Sequence, residues 1–289
     1  MIGELGCRVL LTTAWRGEPC DVMVALHARR SHPSLVGFRS THPQRAAVLA
    51  LTGTDLYRDI HVSPQAQEAL ESATRLLVLQ DAALDELTPA QRMRARVIYQ
   101  SAEARYAHRP PEHLFRAVVL GHLREEKDPF RAALALRHLP GGPDMCVVHA
   151  GKPLSPEFEK QAEELMRGEP RYRWVGELPH WRALKLLAAS HVMVISSRIE
   201  GGAHVVSEAV VHGVPVIASD IAGNRGMLGE DYPGYFPLED EHALAQLLSR
   251  ARSDNDFLGT LRSRVLERQP LFAPQREQEA WKRLLEELQ

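Results

Sequence analysis

Short apolar runs alternating with longer helical patterns constrain this chain more than any other feature, because that alternation builds βα units and a parallel sheet. Five runs come first: CRVLLT from Cys7, DVMVALH from Asp21, AVLALTG from Ala47, RLLVLQ from Arg75 and RVIYQ from Arg96. The stretch from Ser101 to Glu112 is polar and ends in Pro110-Pro111, and tandem prolines continue neither a helix nor a central strand. Five more runs follow: AVVLGH from Ala117, MCVVHAG from Met145, YRWVG from Tyr172, HVMVISS from His191 and VPVIAS from Val214. Helical patterns lie between them over residues 129–139, 155–166 and 180–190. The expectation is an α/β protein with two parallel-sheet, Rossmann-like domains, residues 1–112 and 113–289, facing a cleft. An amphipathic helix over 274–288 is expected to pack back across the boundary. Leu5, Gly6 and the run from Cys7 read as a helix end followed by a second strand, so the first domain is expected to lack its opening strand.

Composition narrows the function classes. A length of 289 residues suits two domains of about 150 residues each. With 44% apolar and 25% charged residues the chain is neither disordered nor fibrous. A net charge of -2 is too small to point to a general nucleic-acid or polybasic membrane surface and leaves room for local basic clusters. No segment reaches the roughly 20 apolar residues of a membrane span, and MIGELGCRVLLTTAW lacks a signal-peptide pattern, so a cytoplasmic location is expected. Cys7, Cys20 and Cys146 match neither a disulfide framework nor a metal spacing and read as reduced thiols. His27, His32 and His42 are expected in loops, and His204 and His212 have no third ligand nearby in sequence, so neither metal nor cofactor is expected. No strand is followed by G-x-G-x-x-G, which excludes the dinucleotide-binding dehydrogenase pattern. Every basic residue before Lys127, histidines apart, is arginine, whose planar fork suits phosphate and carboxylate.

The densest chemical signal is SSRIEGGAHVVSEAVVHGVPVIAS, from Ser196 to Ser219. A strand ends at Ser196-Ser197, a loop brings in Glu200, and Gly201-Gly202-Ala203 opens a helix that stops before Gly213. Unpaired amides at such a start favour phosphate, and glycine lets a ligand approach the backbone. Glu208 and His212 share a polar face at i and i+4 of an otherwise apolar helix. Taken alone, this pattern is equally that of a plain turn and a solvated glutamate.

Glu200 and Glu208 are separated by seven residues, and here the chain resembles the retaining, family-four type of GT-B glycosyltransferases. The resemblance implies that Glu208 grips the ribose hydroxyls of a UDP-sugar. It implies further that Glu200 contacts the donor sugar near the reacting carbon, and that the Gly201, Gly202 and Ala203 amides hold sugar and phosphate. VVLGHLREEKDPF resembles the first strand and loop of the donor domain, where a basic pair stabilises the departing diphosphate. Lys127 fits its lysine. His122 stands where an arginine is usual after Gly121, and Arg124 follows two residues on. YRWVGELPH resembles the segment that reads the base, implicating Gly176, Glu177 and Leu178.

Two strand ends in the first domain carry cations. VALHARRSHPS places His27, Arg29, Arg30 and Ser31 beyond one strand, and LALTGTDLYRDI places Gly53, Thr54, Asp55 and Arg58 beyond another. Thr54 or Asp55 would cap a helix, and a carboxylate there serves capping or the orientation of an arginine. Paired arginines suit an anionic acceptor. ALHARRSHPS, LTGTDLYRDI, VIYQS and GHLREEKDPF together resemble the selenosugar synthases of the selenoneine pathway, which implies transfer of the sugar to selenophosphate. Three other readings stay open: a glycosyltransferase with a hydroxyl acceptor, a UDP-sugar epimerase, and a non-catalytic nucleotide-sugar binder.

Overall fold

Strands β1 (Val22–Leu26), β2 (Ala46–Ala50), β3 (Arg75–Val78) and β4 (Ala95–Val97) form a parallel sheet in that order in the computed structural model, which describes residues 2–142 and 144–288. Alternation across β2 divides its buried side chains between two cores. Ala47 and Leu49 join the cluster under the helices that follow β1 and β2, whereas Val48 and Ala50 face the other side of the sheet. Helix α1 (Ala28–Thr41) follows β1 directly and contributes Leu35 and Phe38 to the first cluster. Arg29, Arg30, Ser31 and His32 therefore lie in a helix and not in a loop. Pro33 stands inside the helix, beyond its first turn, where it forfeits the bond to the Arg29 carbonyl and its ring crowds that carbonyl. A π-helical turn, Asp55–Asp59, leads into α2 (Ile60–Val62), then α3 (Pro64–Ser72). Helix α4 (Pro89–Arg94) opens with a reciprocal capping box between Thr88 and Gln91.

Residues 7–12 form no strand, contrary to expectation. Val9, Leu10 and Leu11 are 59%, 63% and 89% exposed, and among the described residues no strand pairs with the run. An apolar run becomes a strand only where a neighbour takes its backbone hydrogen bonds, so apolar content alone misled.

The second sheet holds β5 (Phe115–Leu120), β6 (Met145–Ala150), β7 (Tyr172–Trp174), β8 (Val192–Ile195), β9 (Val216–Ser219) and β10 (Tyr235–Phe236), in the spatial order β10-β9-β8-β5-β6-β7 and all parallel. Strand β10 carries no apolar run long enough to read from sequence. Buried Tyr232 prepares its approach, its hydroxyl bonding both the N–H and the carbonyl of Val216. The helices are α5 (Arg131–Leu136), α6 (Pro156–Gly168), α7 (His180–Ala188), α8 (His204–Val211), α9 (Ala222–Leu228), α10 (Glu241–Ser253) and α11 (Asn255–Arg268). Strand order reverses between β5 and β8, which opens a crevice at their carboxyl ends.

Contacts divide the chain into two units. The first holds the residues up to Ser101, Ile199–Ala203 and the residues from Leu271 on; the second holds Ala102–Arg198 and His204–Pro270. The proline-rich stretch from Ala102 belongs to the second unit because its backbone is pinned there: Arg109 N–H donates to the Ala188 carbonyl and Arg105 N–H to His212 Nε2. The last helix, α12 (Pro274–Glu286), belongs to the first unit, where Leu284 packs with Val48, Ala50, Leu77 and Ile98. Beyond its end, Glu287 accepts from Arg75 at 3.2 Å and Arg96 at 2.6 Å. Among the described residues no helix is long and apolar enough to cross a membrane.

Leu284 is 1% exposed, so Leu284→Ala is expected to lower stability by about 2–5 kcal/mol through lost burial and a residual cavity. Urea unfolding of wild type and variant measures this, and a loss below about 0.5 kcal/mol, the scale of an exposed substitution, would contradict the packing described.

Candidate functional site

Register brings the first cluster together. Leu26 of β1 lies beside Ala50 of β2, and the next residue, His27, donates its N–H to the Ala50 carbonyl at 2.9 Å. His27 thereby stands level with the turn that follows β2. Its backbone, at φ 72° and ψ 112°, lies outside the regions open to ordinary L-residues and stores strain. Side-chain bonds hold it there: Nε2–H donates to Thr54 Oγ1 at 3.1 Å, and Nδ1 accepts the Arg30 N–H at 3.4 Å. Burial pushes the imidazole below its ordinary pKa, against the pull of Asp55 and Asp59, so the ring is neutral. Ser31, one turn into α1, bonds back to the Leu26 carbonyl.

Asp55 is fully buried and its carboxylate is saturated. Oδ2 accepts the Ala28 N–H at 2.9 Å, while Oδ1 accepts from the Thr52 N–H, the Thr52 hydroxyl and the Gly53 N–H. Thr54 makes no side-chain cap. Asp55 fastens two backbone segments and orients no arginine. That task falls to Asp59, which the sequence reading did not single out: Arg29 Nε donates to its Oδ2 at 3.0 Å and Arg58 Nε to its Oδ1 at 3.1 Å. Burial raises the Asp59 carboxyl pKa, but Arg58 and Arg29 outweigh it and hold the group below the ordinary value. The signal was visible as an acid directly after Arg58 in LYRDI. Arg30 contributes its backbone N–H to His27, and the pair of arginines on Asp59 is Arg29 with Arg58.

The loop from Ile199 to Ala203 belongs to this same unit and rests on the Thr52–Gly53 turn. A Cβ on Gly201 would stand 1.3 Å from the Thr52 carbonyl oxygen, and one on Gly53 would stand 3.1 Å from the Gly201 nitrogen. A Cβ on Gly202 would meet Leu79 at 2.5 Å. Glycine is therefore required by backbone packing here, beside any need to admit a ligand. Glu200 and Ala203 are both buried in this loop.

In the second unit, Gly121, His122, Lys127, Ser196 and Ser197 line the crevice at the ends of β5 and β8, with His149 among the residues beneath. His149 is fully buried; its Nε2–H donates to the Gly121 carbonyl at 3.1 Å and its Nδ1 accepts the Tyr172 hydroxyl at 2.9 Å. Burial lowers its pKa to about 4, so it stays neutral. Gly151 permits the approach, since a Cβ there would stand 1.8 Å from the Gly121 oxygen. His122 Nδ1 accepts the Lys152 N–H at 3.1 Å. Ser196 Oγ fixes the loop by donating to the Asp128 carbonyl at 2.8 Å, next to Lys127. Arg124 Nε is buried without a hydrogen-bond acceptor among the described residues, with the Glu126 carboxylate 4.0 Å away. Gly176, at φ 72°, gives its carbonyl to the Gly151 N–H, and Glu177 and Leu178 continue the loop toward α7.

Glu208 is 8% exposed, and the polar face it shares with His212 is interior, because the neighbouring positions of α8 are buried as well. Its Oε1 meets His180 Nε2 at 2.5 Å and His204 Nδ1 at 3.4 Å. Burial raises the Glu208 pKa, but the bonds from His204 and His180 overcome it, so the carboxyl lies below its ordinary 4.5. Both histidines were missed as partners; His204 could have been found by its i, i+4 spacing, whereas His180 comes from another helix. Among the described residues no group of three His, Cys, Asp or Glu side chains is placed to hold a metal ion.

Residues 100–267 match the family model described as Glycosyl transferases group 1. No curated protein sequence matches the chain. Among solved structures, Anabaena Alr3699/HepE in complex with UDP and glucose superposes with a TM-score of 0.73 at 18% identity, over 93% of this chain and 77% of that one. Sucrose-phosphate synthase from Thermosynechococcus elongatus gives 0.77 at 19% identity, over 93% and 73%. An α,α-trehalose-phosphate synthase from Burkholderia xenovorans, in complex with glucose-6-phosphate, gives 0.74 at 13% identity, over 92% and 73%. At these identities the likeness establishes the fold, two Rossmann-like parallel-sheet domains of GT-B type.

The lowered Glu208 pKa has a fixed sign of effect. Its contribution to stability is present above the ordinary value of 4.5 and is lost as pH falls through the lower folded value. The stability gap between wild type and Glu208→Gln is therefore expected to narrow on going from neutral pH to below that window, as followed by urea unfolding at each pH. A gap that widens in acid would contradict the assignment.

Proposed function

This chain belongs to the group 1 glycosyltransferases, and from that premise we propose that it transfers a sugar from a UDP-sugar to selenophosphate, giving a selenosugar. One observation carries the acceptor side: Arg29 and Arg58, from two different strand ends, meet on Asp59 in the same unit that holds the Glu200 loop. A neutral acceptor has no need of such cations. An anion gains charge-assisted hydrogen bonds from them, and His27, Arg30, Ser31, Gly53 and Thr54 frame the place where it enters.

On the donor side, Glu208 takes the ribose hydroxyls, and Gly176, Glu177 and Leu178 read the base. Gly121, His122 and the amides of Gly201, Gly202 and Ala203 accommodate diphosphate and sugar. Selenium attacks the anomeric carbon, the bond from that carbon to the diphosphate oxygen breaks, and its electron pair leaves with UDP. Water then cleaves the phosphorus–selenium bond and releases inorganic phosphate. Charge develops on the leaving diphosphate, so preorganised cations lower the barrier. Lys127 lines the crevice, and Arg124, whose buried Nε has no hydrogen-bond acceptor among the described residues, supports a second cation in place of the usual arginine. Glu200 acts on the donor sugar near the reacting carbon. Selenophosphate is already anionic and requires orientation more than a general base.

A second reading deserves its own arm of the test. One structural neighbour was solved with glucose-6-phosphate, and a phosphorylated sugar offering a hydroxyl would satisfy the same arginines. The deciding experiment incubates the protein with a UDP-sugar alone, with selenophosphate, and with a sugar phosphate, and identifies products by mass spectrometry. A selenosugar with UDP, formed only in the second mixture, is expected. Transfer to the sugar phosphate, epimerisation of the donor, or no reaction would each replace this proposal with a competing one.

Two further outcomes follow. Lys127→Ala is expected to lower kcat/KM roughly ten- to a hundredfold, equivalent to about 1.5–3 kcal/mol for one hydrogen bond from a charged donor; wild-type kinetics would transfer the role to Arg124 or His122. With diphosphate charge assigned to these side chains and no cofactor proposed, the rate is expected to survive EDTA. Loss of activity restored by Mg2+ or Mn2+ would overturn that assignment.

A further inference from the structure

Asp59 closes the π-helical turn with a carboxylate only 7% exposed, and two arginines reach it. Arg29 comes from the first turn of α1 and Arg58 from the residue before Asp59. Each uses Nε–H, and each takes a different carboxylate oxygen. Both arginine side chains remain 49% exposed. A guanidinium held by Nε keeps the donors of its terminal nitrogens, and those are the donors that form a fork on phosphate or carboxylate. The other acid of the cluster, Asp55, is saturated by backbone and hydroxyl donors and takes neither arginine.

A carboxylate beside an anion site would ordinarily repel the ligand. Here its charge is covered by two guanidiniums, which leaves the trio with one net positive charge, and neighbouring His27 is neutral. What the carboxylate supplies is order. Two long, half-exposed side chains that would otherwise sample many rotamers are fixed side by side before the ligand arrives, which removes much of the entropy cost of capture. The π-helical turn carries Asp55, Arg58 and Asp59 together, so the carboxylate that fastens the turn to α1 and the one that binds the arginines lie on one short element.

We propose that Asp59 is a positioning residue that holds Arg29 and Arg58 as a preformed fork for one tetrahedral, phosphate-class oxyanion, the charged part of the acceptor. The identification of that anion with the acceptor rests on the function proposed above; the fork itself does not.

Inorganic phosphate is the probe, titrated calorimetrically into the full chain, with UDP titrated separately. Wild type is expected to bind phosphate. Asp59→Asn, which turns an amide donor toward a guanidinium, is expected to weaken phosphate about tenfold while leaving UDP affinity within about twofold. Asp59→Glu should restore part of the loss. In an Arg29→Gln background Asp59→Asn should cost clearly less, since half of what it positions is gone. In turnover, Asp59→Asn should raise the acceptor KM and leave the donor KM unchanged. Absence of phosphate binding in wild type, unchanged phosphate affinity in Asp59→Asn, or a parallel loss of UDP affinity and melting temperature would each overturn the fork. Should a selenosugar form while Asp59→Asn leaves the acceptor KM unmoved, the fork fails and the proposed function stands. Should phosphate bind as expected while only neutral hydroxyl acceptors are glycosylated, the fork stands and the selenophosphate reading fails.

Discussion

The buried carboxylate of Asp55 is the interaction on which the first unit's chemistry depends. Four donors converge on it, from Ala28 on one side and from Thr52 and Gly53 on the other. A buried ion is costly unless its lone pairs are filled, and filling them ties the strand end after β1 to the strand end after β2. Once those ends are fixed, His27 is held in its strained backbone beside Thr54, and Arg29 comes within reach of Asp59. The Thr52–Gly53 turn in turn backs the loop that carries Glu200, with no room for a side chain at Gly201. Local strain at His27 is thus maintained by surrounding bonds that over-determine it.

The second unit solves the same problem with a neutral buried pair. His149 and Tyr172 sit where a parallel strand ordinarily carries aliphatic side chains, and they bond each other and the Gly121 carbonyl. Gly151 lets that carbonyl approach the neighbouring strand. The crevice at the β5–β8 reversal is thereby built on fixed backbone, while the charged groups proposed to act there, Lys127 and Arg124, are carried by the loop above it.

Much of this architecture was legible in the chain. Strands β1 to β9 coincide with apolar runs, and helices over 156–168, 180–188 and 274–286 coincide with helical patterns. The failures have physical reasons. The run at residues 7–12 has strand composition but no paired strand. Helix α1 carries Pro33 in its interior, a position that ordinarily breaks a helix, and continues through it with Leu35 and Phe38 buried in the first cluster. The polar face of α8 read as ambiguous because a period of 3.6 distinguishes two faces without saying which one meets solvent; here Glu208 and His212 are buried, and Glu208 is held by His180 and His204.

By itself the sequence determined the alternation of strands and helices, the glycines at Gly53, Gly121 and Gly201, and the seven-residue spacing from Glu200 to Glu208. These are local properties, set by side-chain period and by where a backbone can bend or be approached. Tertiary structure decided which charges meet. Arg29 and Asp59 are thirty residues apart, and only the parallel register of β1 on β2, locked by Asp55, brings them within hydrogen-bond distance. Glu208 and His180 are twenty-eight residues apart on different helices. Such pairings depend on register and packing, which no pattern along a single chain encodes, and so the sequence showed an acid beside Arg58 but not that Arg29 would join it.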